Sequence, residues 1–318
     1  MEASSAGRRP QTGRRGLTAA VDVLLTLLLL LVIAADATAS GPSEKSSMAT
    51  WSISSEVEYG HVLEAGLDEG NGWFSLYESG ARLSIRRLLG KGSLIGLNLD
   101  LALLDFDLKR GANPVLEKSG RFDQILESKA GFNVVITRGD WSYTGLLAVG
   151  AAGEDHALDG DAGYIQGAVG LVHQWTPTVR VGFGLFVKTR IEDDALIAPF
   201  IMLEYRATED LTVAIRNGLS IDYQLEEERT YLTFEAKYDS HRFRLDDTEP
   251  LPAGVVDYER VPVSVGIRHR FSEYLTARAS VGAILWHRFE LSDRNGKDLG
   301  DTEADPTAVL RAAVGFDF

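Results

Sequence analysis

From Trp51 to Phe318 the sequence predicts an all-β fold: a transmembrane, antiparallel, up-and-down β-barrel of about fourteen strands, with twelve as the alternative count. Three observations predict it. The dominant hydrophobic period is two, connections alternate between short and long, and the chain stops on an alternating strand that ends in Phe. Period two sends successive side chains to opposite faces of a strand. Leu275, Ala277, Ala279, Val281, Ala283 and Leu285 interleave with Thr276, Arg278, Ser280, Gly282, Ile284 and Trp286. A soluble sandwich would turn the apolar face inward, and a transmembrane barrel would turn it to lipid. Alternation alone leaves a secreted sandwich open.

The elements follow in chain order. Arg8, Arg9, Arg14 and Arg15 precede an apolar block from Val23 to Ala35 and the small-residue site Ala37-Thr38-Ala39. This is the layout of a cleaved export signal, residues 1–39, with the cut after Ala37 or Ala39. Asp22 and Asp36 bound the apolar run below the ~18 residues of a spanning helix, which disfavours an uncleaved anchor. Residues 40–50 form a polar lead-in, and 51–318 form the barrel. Period-two segments lie at 51–61, 80–89, 93–106, 126–137, 141–152, 161–175, 178–190, 195–207, 211–223, 229–238, 241–246, 257–270, 274–290 and 307–318.

Short turns are read at Gly90-Lys91-Gly92, Arg138-Gly139-Asp140, Thr176-Pro177, Thr208-Glu209-Asp210, Asp239-Ser240 and Ser272-Glu273. The longer links are 62–79, 107–125, 153–160, 191–194, 224–228, 247–256 and 291–306. Short turns at one rim and long loops at the other are the transmembrane-barrel pattern. Aromatics near strand ends (Trp51, Tyr59, Trp141, Tyr143, Trp175, Tyr205, Tyr238, Phe271, Tyr274, Trp286 and Phe289) fit interfacial girdles.

Composition sets the exclusions. The chain has 318 residues, 45% hydrophobic and 25% charged, with 32 Gly, no Cys and a net charge of -14. Without Cys there is no disulfide framework, thiolate zinc site or Cys nucleophile. The negative charge argues against nucleic acid as a partner, because such a surface needs a basic stripe.

The last strand, Leu310, Ala312, Val314, Phe316 and Phe318 alternating with Arg311, Ala313, Gly315 and Asp317, resembles the C-terminal insertion signal of bacterial outer-membrane β-barrels. The resemblance implies an assembly signal at Phe316 and Phe318, read by the barrel assembly machinery after delivery by periplasmic chaperones. It also implies residence in the outer membrane of a Gram-negative bacterium, among lipid bilayer and lipopolysaccharide. Residues Asp257 to Phe318 further resemble an uncharacterised outer-membrane barrel family, which implies no activity.

By parity the inward face carries Arg82, Arg86, Asp100, Arg180, Lys188, Glu204, Arg206, Arg216, Arg268, Arg278, Arg288 and Arg311, besides Glu56 and Glu58. Arg or Lys facing lipid at the midplane would cost ~2 to 4 kcal/mol, so these side chains belong inside. They form either an Arg-rich constriction for polar or anionic solutes, or a set of ion pairs that holds a closed lumen together. A closed adhesive barrel would use its acidic outer loops, such as Glu192-Asp193-Asp194, Glu226-Glu227-Glu228 and Asp298 to Asp305, to bind partners. Asp293 to Asp298 lacks the spacing of a calcium loop.

A lipid-modifying enzyme is the remaining alternative. Ser240 and His241 are adjacent, so in a strand they point to opposite faces and cannot act as nucleophile and base. His173, His269 and His287 share lipid-facing parity, His269 beside a short turn and His287 near the outer rim. No catalytic, cofactor or metal motif occurs. No catalytic residue and no cofactor is therefore expected.

Overall fold

The computed structural model describes residues 51–318 apart from 69–71, 91, 110–112, 114, 117–121, 155–156, 159–161, 192, 227–228 and 247–253. The expected signal peptide, the lead-in and several acidic loop residues, among them Glu192, Glu227 and Glu228, lie outside the described residues. Sixteen strands form: β1 Trp51–Gly66, β2 Trp73–Gly90, β3 Ser93–Lys109, β4 Gln124–Arg138, β5 Trp141–Gly153, β6 Gly163–Thr176, β7 Val179–Arg190 and β8 Asp193–Arg206. They continue as β9 Leu211–Ile215, β10 Gly218–Glu226, β11 Thr230–Lys237, β12 Asp239–Arg244, β13 Val255–Arg270, β14 Leu275–Ser292, β15 Asp298–Ala304 and β16 Thr307–Asp317. The neighbouring strands of the wall pair antiparallel, and β1 with β16 and β13 with β14 complete the ring.

Two pairs of these strands are single strands in register. β11 pairs with β13 from Thr230↔His269 to Ala236↔Val263, and β12 continues along β13 from Asp239↔Arg260 to Arg244↔Val255. Likewise β15 and β16 run end to end along β14, from Ser292↔Asp298 to Leu275↔Phe316. The wall is therefore a closed ring of fourteen strands.

The count matches the sequence expectation, but two of its parts do not. The segment 211–223 is not one strand; it turns back at Arg216-Asn217, where Leu219 pairs with Ile215. Asp239-Ser240 is not a turn, because β11 and β12 run through it. The exchange puts the Glu226 turn at the rim that carries Trp51 and Phe318, hereafter the terminal rim. There the Gln224 N–H donates to Asp210 O and the Arg270 N–H to Arg229 O. Glu226 is thus not in an outer loop. Strands also run further than expected at the opposite, loop rim, where β1 and β2 absorb most of 62–79.

Turns at the terminal rim share a local device. The hydroxyls of Thr176, Thr208 and Ser272 accept the N–H of the residue three further on, Val179, Leu211 and Leu275, at 3.0, 3.0 and 3.1 Å. A hydroxyl at that position satisfies a backbone donor that the reversing chain would strand. At the loop of Arg138↔Trp141, Gly139 takes φ 59, a conformation glycine adopts without a Cβ clash.

The faces settle the choice between sandwich and barrel. Leu147, Val149, Val169, Phe183, Leu185, Ile197, Ile201, Val281 and Leu285 stand exposed on the outside. Trp51, Tyr59, Trp141, Tyr143, Trp175, Tyr205, Tyr238, Phe271 and Tyr274 are exposed as well, as girdle residues should be. The inward face carries the charges, the reverse of a soluble sandwich. An apolar belt around strands that close into a ring is the arrangement by which β-barrels span the outer membrane. The seam closes on the last residue: Phe318 and Ile53 exchange two backbone hydrogen bonds, 2.7 and 3.0 Å.

Candidate functional site

One strand shows how the interior is layered. From loop rim to terminal rim the inward side chains of β2 are Phe74, Leu76, Glu78, Gly80, Arg82, Ser84 and Arg86. The lumen therefore has an apolar upper part, a buried charged layer and a wide polar vestibule.

The upper part is a plug. Phe74, Phe106, Phe122, Phe243, Tyr258 and Phe289 converge there, with Phe74–Phe289 centroids at 5.1 Å, Tyr258–Phe289 at 4.7 Å and Phe122–Phe243 at 5.7 Å. Edge and offset contacts at these separations are the favoured aromatic geometries. The link between β3 and β4 dips inside to supply Val115, Leu116 and Phe122. Asn113 anchors it: Nδ2 donates to Thr302 Oγ1 at 3.0 Å, and Oδ1 accepts the Val115 and Leu116 N–H groups at 3.1 and 3.0 Å.

Phe289 is therefore not a girdle residue, and the reason is local. Between Arg260↔His287 and Pro262↔Ile284 the register with β13 shifts by one residue, a bulge in β14. A bulge inverts parity, so His287 and Phe289 face the plug, and Arg288 faces out. Arg288 is not a lumen residue: it pairs outside with Asp301 at 3.0 Å and Glu290 at 3.5 Å. His287, expected on the lipid side, is fully buried, with Nδ1 2.9 Å from the Tyr258 hydroxyl.

Below the plug lies a charged layer. Arg260 Nη2 reaches Glu78 Oε1 at 2.5 Å and Asp239 Oδ2 at 3.2 Å. Arg311 meets Glu78 at 3.4 Å, and His241 Nδ1 meets Glu127 at 3.2 Å. Tyr164 donates to Glu127 at 2.9 Å, and Lys188 sits 4.5 Å from the Tyr164 ring centroid. Burial of charge at this level is tolerable because each ionised group faces an opposite charge, although Arg260 Nε and Nη1 lack a hydrogen-bond partner among the described residues.

The vestibule holds most of the remaining predicted residues, and all but Arg86 and Arg206 have an ion-pair partner among the described residues. Arg82 binds Asp100 at 2.6 Å, and Lys129 binds the same carboxylate at 3.3 Å. Glu204 takes Arg216 at 2.7 Å and Arg180 at 3.7 Å. Arg278 bridges Glu58 at 3.2 Å and Glu235 at 3.4 Å, and Arg268 reaches Asp222 at 3.5 Å and stacks 4.6 Å from Tyr231. Arg86 lines the mouth at the terminal rim. Arg206 stands exposed where β8 ends. Arg216 projects from the β9–β10 turn rather than from a strand.

The parity reading missed Glu78, Glu127, Asp239 and Arg260. The sequence pattern puts Glu78 in a loop and Asp239 in a turn. Arg260 shares the parity of Arg268 on one strand, so the signal was present.

Among the described residues, two cavities stand out in the interior. One of about 400 Å³ opens at the terminal rim between Arg86, Arg270 and Asp317, and one of about 980 Å³ extends up to Ile191 and Leu196. Both are lined by Glu56 and Arg82, so they adjoin. The larger one reaches past the charged layer into a side chamber between β12 and β6–β8.

Among the described residues, no nucleophile, base and carboxylate set suited to catalysis assembles at His241 or His269. Ser240 donates to Asp257 at 3.0 Å while His241 faces Glu127 on the other side of the strand. Thr230 Oγ1 is 2.9 Å from His269 Nδ1, but the carboxylate, Glu226, takes the hydroxyl at 3.2 Å instead of orienting the imidazole. In the 293–297 turn the N–H groups of Lys297 and Asn295 bind Asp293 Oδ1 at 3.0 and 2.8 Å and hold its carboxyl below the usual carboxylate range. That oxygen serves the turn, not a cation.

The family model described as "Domain of unknown function (DUF6268)" matches residues 112–317. No curated protein matches the sequence. Among solved structures, the chain is similar to the COG4313 outer membrane channel from Pseudomonas putida F1, with 10% identity, 87% of this chain and 99% of that one covered, and a TM-score of 0.45. It is also similar to the P. putida toluene transporter TodX, with 8% identity, 86% and 90% covered and TM-score 0.40. A third is the KdgM porin in complex with oligogalacturonate, with 9% identity, 83% and 99% covered and TM-score 0.34. Likenesses at these scores do not transfer a function.

Proposed function

The chain belongs to the DUF6268 family, and from the interior of its barrel we propose that it is a narrow outer-membrane channel for small molecules. The observation that carries this reading is the pair of adjoining voids, one open at the terminal rim and one reaching the side chamber beside Leu196, with Glu56 and Arg82 lining both. A barrel whose only task is structural has no need of so much interior space. Pairing of Arg82, Arg180, Arg268, Arg278 and Arg311 with carboxylates leaves little net positive field, so the vestibule suits neutral or weakly charged polar solutes better than a strongly anionic one. Fourteen strands, between filled eight-stranded barrels and wide 16-stranded porins, agree with a small conductance.

The test is ion conductance of the refolded protein in planar bilayers. Discrete small steps are expected; silent bilayers that contain folded, heat-modifiable protein would remove the channel reading. The plug favours a second reading, a closed barrel that binds partners through its loops, and the same recording separates the two. Phe316 and Phe318 would serve as the assembly signal in either case.

A further inference from the structure

The wall has a gap. β8 pairs with β7 along its length, from Arg190↔Asp193 to Val179↔Tyr205, but β9 meets it only from Leu203 to Arg206. β10 is equally short at that end, since its first residue, Gly218, already pairs with Lys237. Above the Arg216-Asn217 turn, β8 from Asp193 to Met202 and β12 from Asp239 to Arg244 face each other with no described strand between them. β12 instead leans across the lumen, and its Arg244 bridges to Gly153 of β5. The gap is closed at its top, where the Arg242 guanidinium donates to Ile191 O at 2.9 Å.

The gap opens at bilayer depth. Ile197 and Ile201, each 67% exposed, stand on the lipid face of one margin, and Tyr238 stands on the other. Leu196 points inward yet is 42% exposed, as a side chain behind an opening must be. Pro199 lies in the unpaired run of β8, and proline is at home on a sheet edge. Unpaired edge groups cannot face hydrocarbon; they are tolerated where they line a water-filled cavity, which the chamber behind the gap provides. The chamber is two-sided. Phe186, Leu196, Ala198, Phe200 and Met202 make an apolar wall, and the ring of Phe200 lies over Gly184, where a Cβ would come within 2.3 Å of it. The facing wall carries polar groups that are already paired, Ser240 and Arg242 with Asp257.

We propose that this gap admits a single-chain amphiphile from the bilayer, its acyl chain along the inner face of β8 and its polar end toward β12. An apolar wall reached from lipid fits a hydrocarbon chain, and a polar wall without unmet charge fits a small polar end. The proposal deepens the channel reading by giving the vestibule a lateral, rather than axial, connection beneath the plug.

The probe is palmitic acid carrying a mid-chain diazirine, added to phosphatidylcholine vesicles that contain the refolded full-length barrel, with adducts mapped by mass spectrometry after irradiation. Adducts on the inward-facing Phe200 and Met202 are expected, besides those on Ile201. Ala198→Trp, which fills the chamber, should cut inward labelling at least fivefold and leave Ile201 unchanged. Excess unlabelled palmitate should do the same for the wild-type protein, so the result stands even where the variant folds poorly. Adducts confined to Ile197 and Ile201 overturn the proposal, as does inward labelling that neither palmitate nor Ala198→Trp reduces. Conductance of the same preparation judges the channel reading separately: current without inward adducts keeps the channel and removes the lateral gap, and the converse keeps the gap alone.

Discussion

Arg260 on β13 and Glu78 on β2 are joined across the lumen by a 2.5 Å ion pair, with β14, β16 and β1 between them around the wall. The Arg260 side chain is 3% exposed, so the pair is a chord buried beneath the plug. Removing one member leaves the other charge in an apolar setting, whereas removing both does not. Glu78→Gln should lower stability by roughly 3 kcal/mol, the low end of the usual range because Asp239 remains beside Arg260. The double variant Glu78→Leu/Arg260→Met should recover most of that loss. Urea midpoints of the refolded protein in vesicles measure both; a single variant as costly as the double, or costless, contradicts the pairing.

Phe74 touches Tyr258, His287 and Phe289 in the plug. Phe74→Ala should cost about 3 to 5 kcal/mol, as large-to-small changes in packed cores do. Because the ring also blocks the axis, the variant should conduct more than wild type in planar bilayers. Equal conductance at reduced stability would place the current entirely elsewhere.

Arg278 neutralises Glu58 and Glu235, whereas Arg180 shares Glu204 with a closer Arg216. Arg278→Gln should therefore shift the reversal potential in a salt gradient toward cation selectivity, by leaving Glu235 uncompensated and Glu58 with only Arg311, 3.9 Å away. Arg180→Gln should change it little. An equal shift from both variants would mean the arginines act as independent charges.

Gly218 follows the turn that ends β9 and has φ 146; a Cβ there would sit 2.4 Å from Ala236 O. Gly218→Ala should destabilise by about 1 to 3 kcal/mol, the cost of a residue held in a region that L side chains avoid. Heat-modifiable gel mobility across a temperature series reads it: the folded band should be lost at lower temperature. A midpoint equal to wild type would show that the turn relaxes freely.

How far the sequence could be read is clearest around these residues. Alternation located most of the wall because lipid and lumen impose period two on every strand. It passed straight through Arg216-Asn217-Gly218, because Ile215 and Leu219 face the same way across the turn and the apolar rhythm never breaks. The Asn-Gly pair was the available signal. Asp239-Ser240 misled for the opposite reason: turn-forming residues sit inside a strand because both side chains have partners, Lys237 for Asp239 and Asp257 for Ser240. The strand total of fourteen survived because one error removed a strand and the other added one.

The site was half legible. Parity assigns Arg82, Asp100, Arg180, Glu204 and Arg278 to the inward face, and each takes part in an ion pair. It failed at Arg288, where an added residue in β14 has no mark in a run as apolar as Ile284-Leu285-Trp286. The plug left a fainter trace: apolar residues on both parities at the upper strand ends, as in Leu103-Leu104 and Val255-Val256, which is how a strand covered on both sides reads. The ion pairs were invisible, since they depend on which strands are neighbours.

The plug also divides the barrel by what holds it together. Around Phe74, Phe106 and Tyr258 the wall is glued from within by close-packed side chains, as in a water-soluble core. Around Glu56, Arg82 and Arg268 the interior is wet, and cohesion there rests on the backbone ladder and on the lipid outside. The two ends should part company when lipid is withdrawn: in harsh detergent, amide protons of the upper β1, β2, β13 and β14 should stay protected while those near Ser54, Arg86 and Thr276 exchange first. Disassembly then begins at the rim where β1 starts and β16 ends.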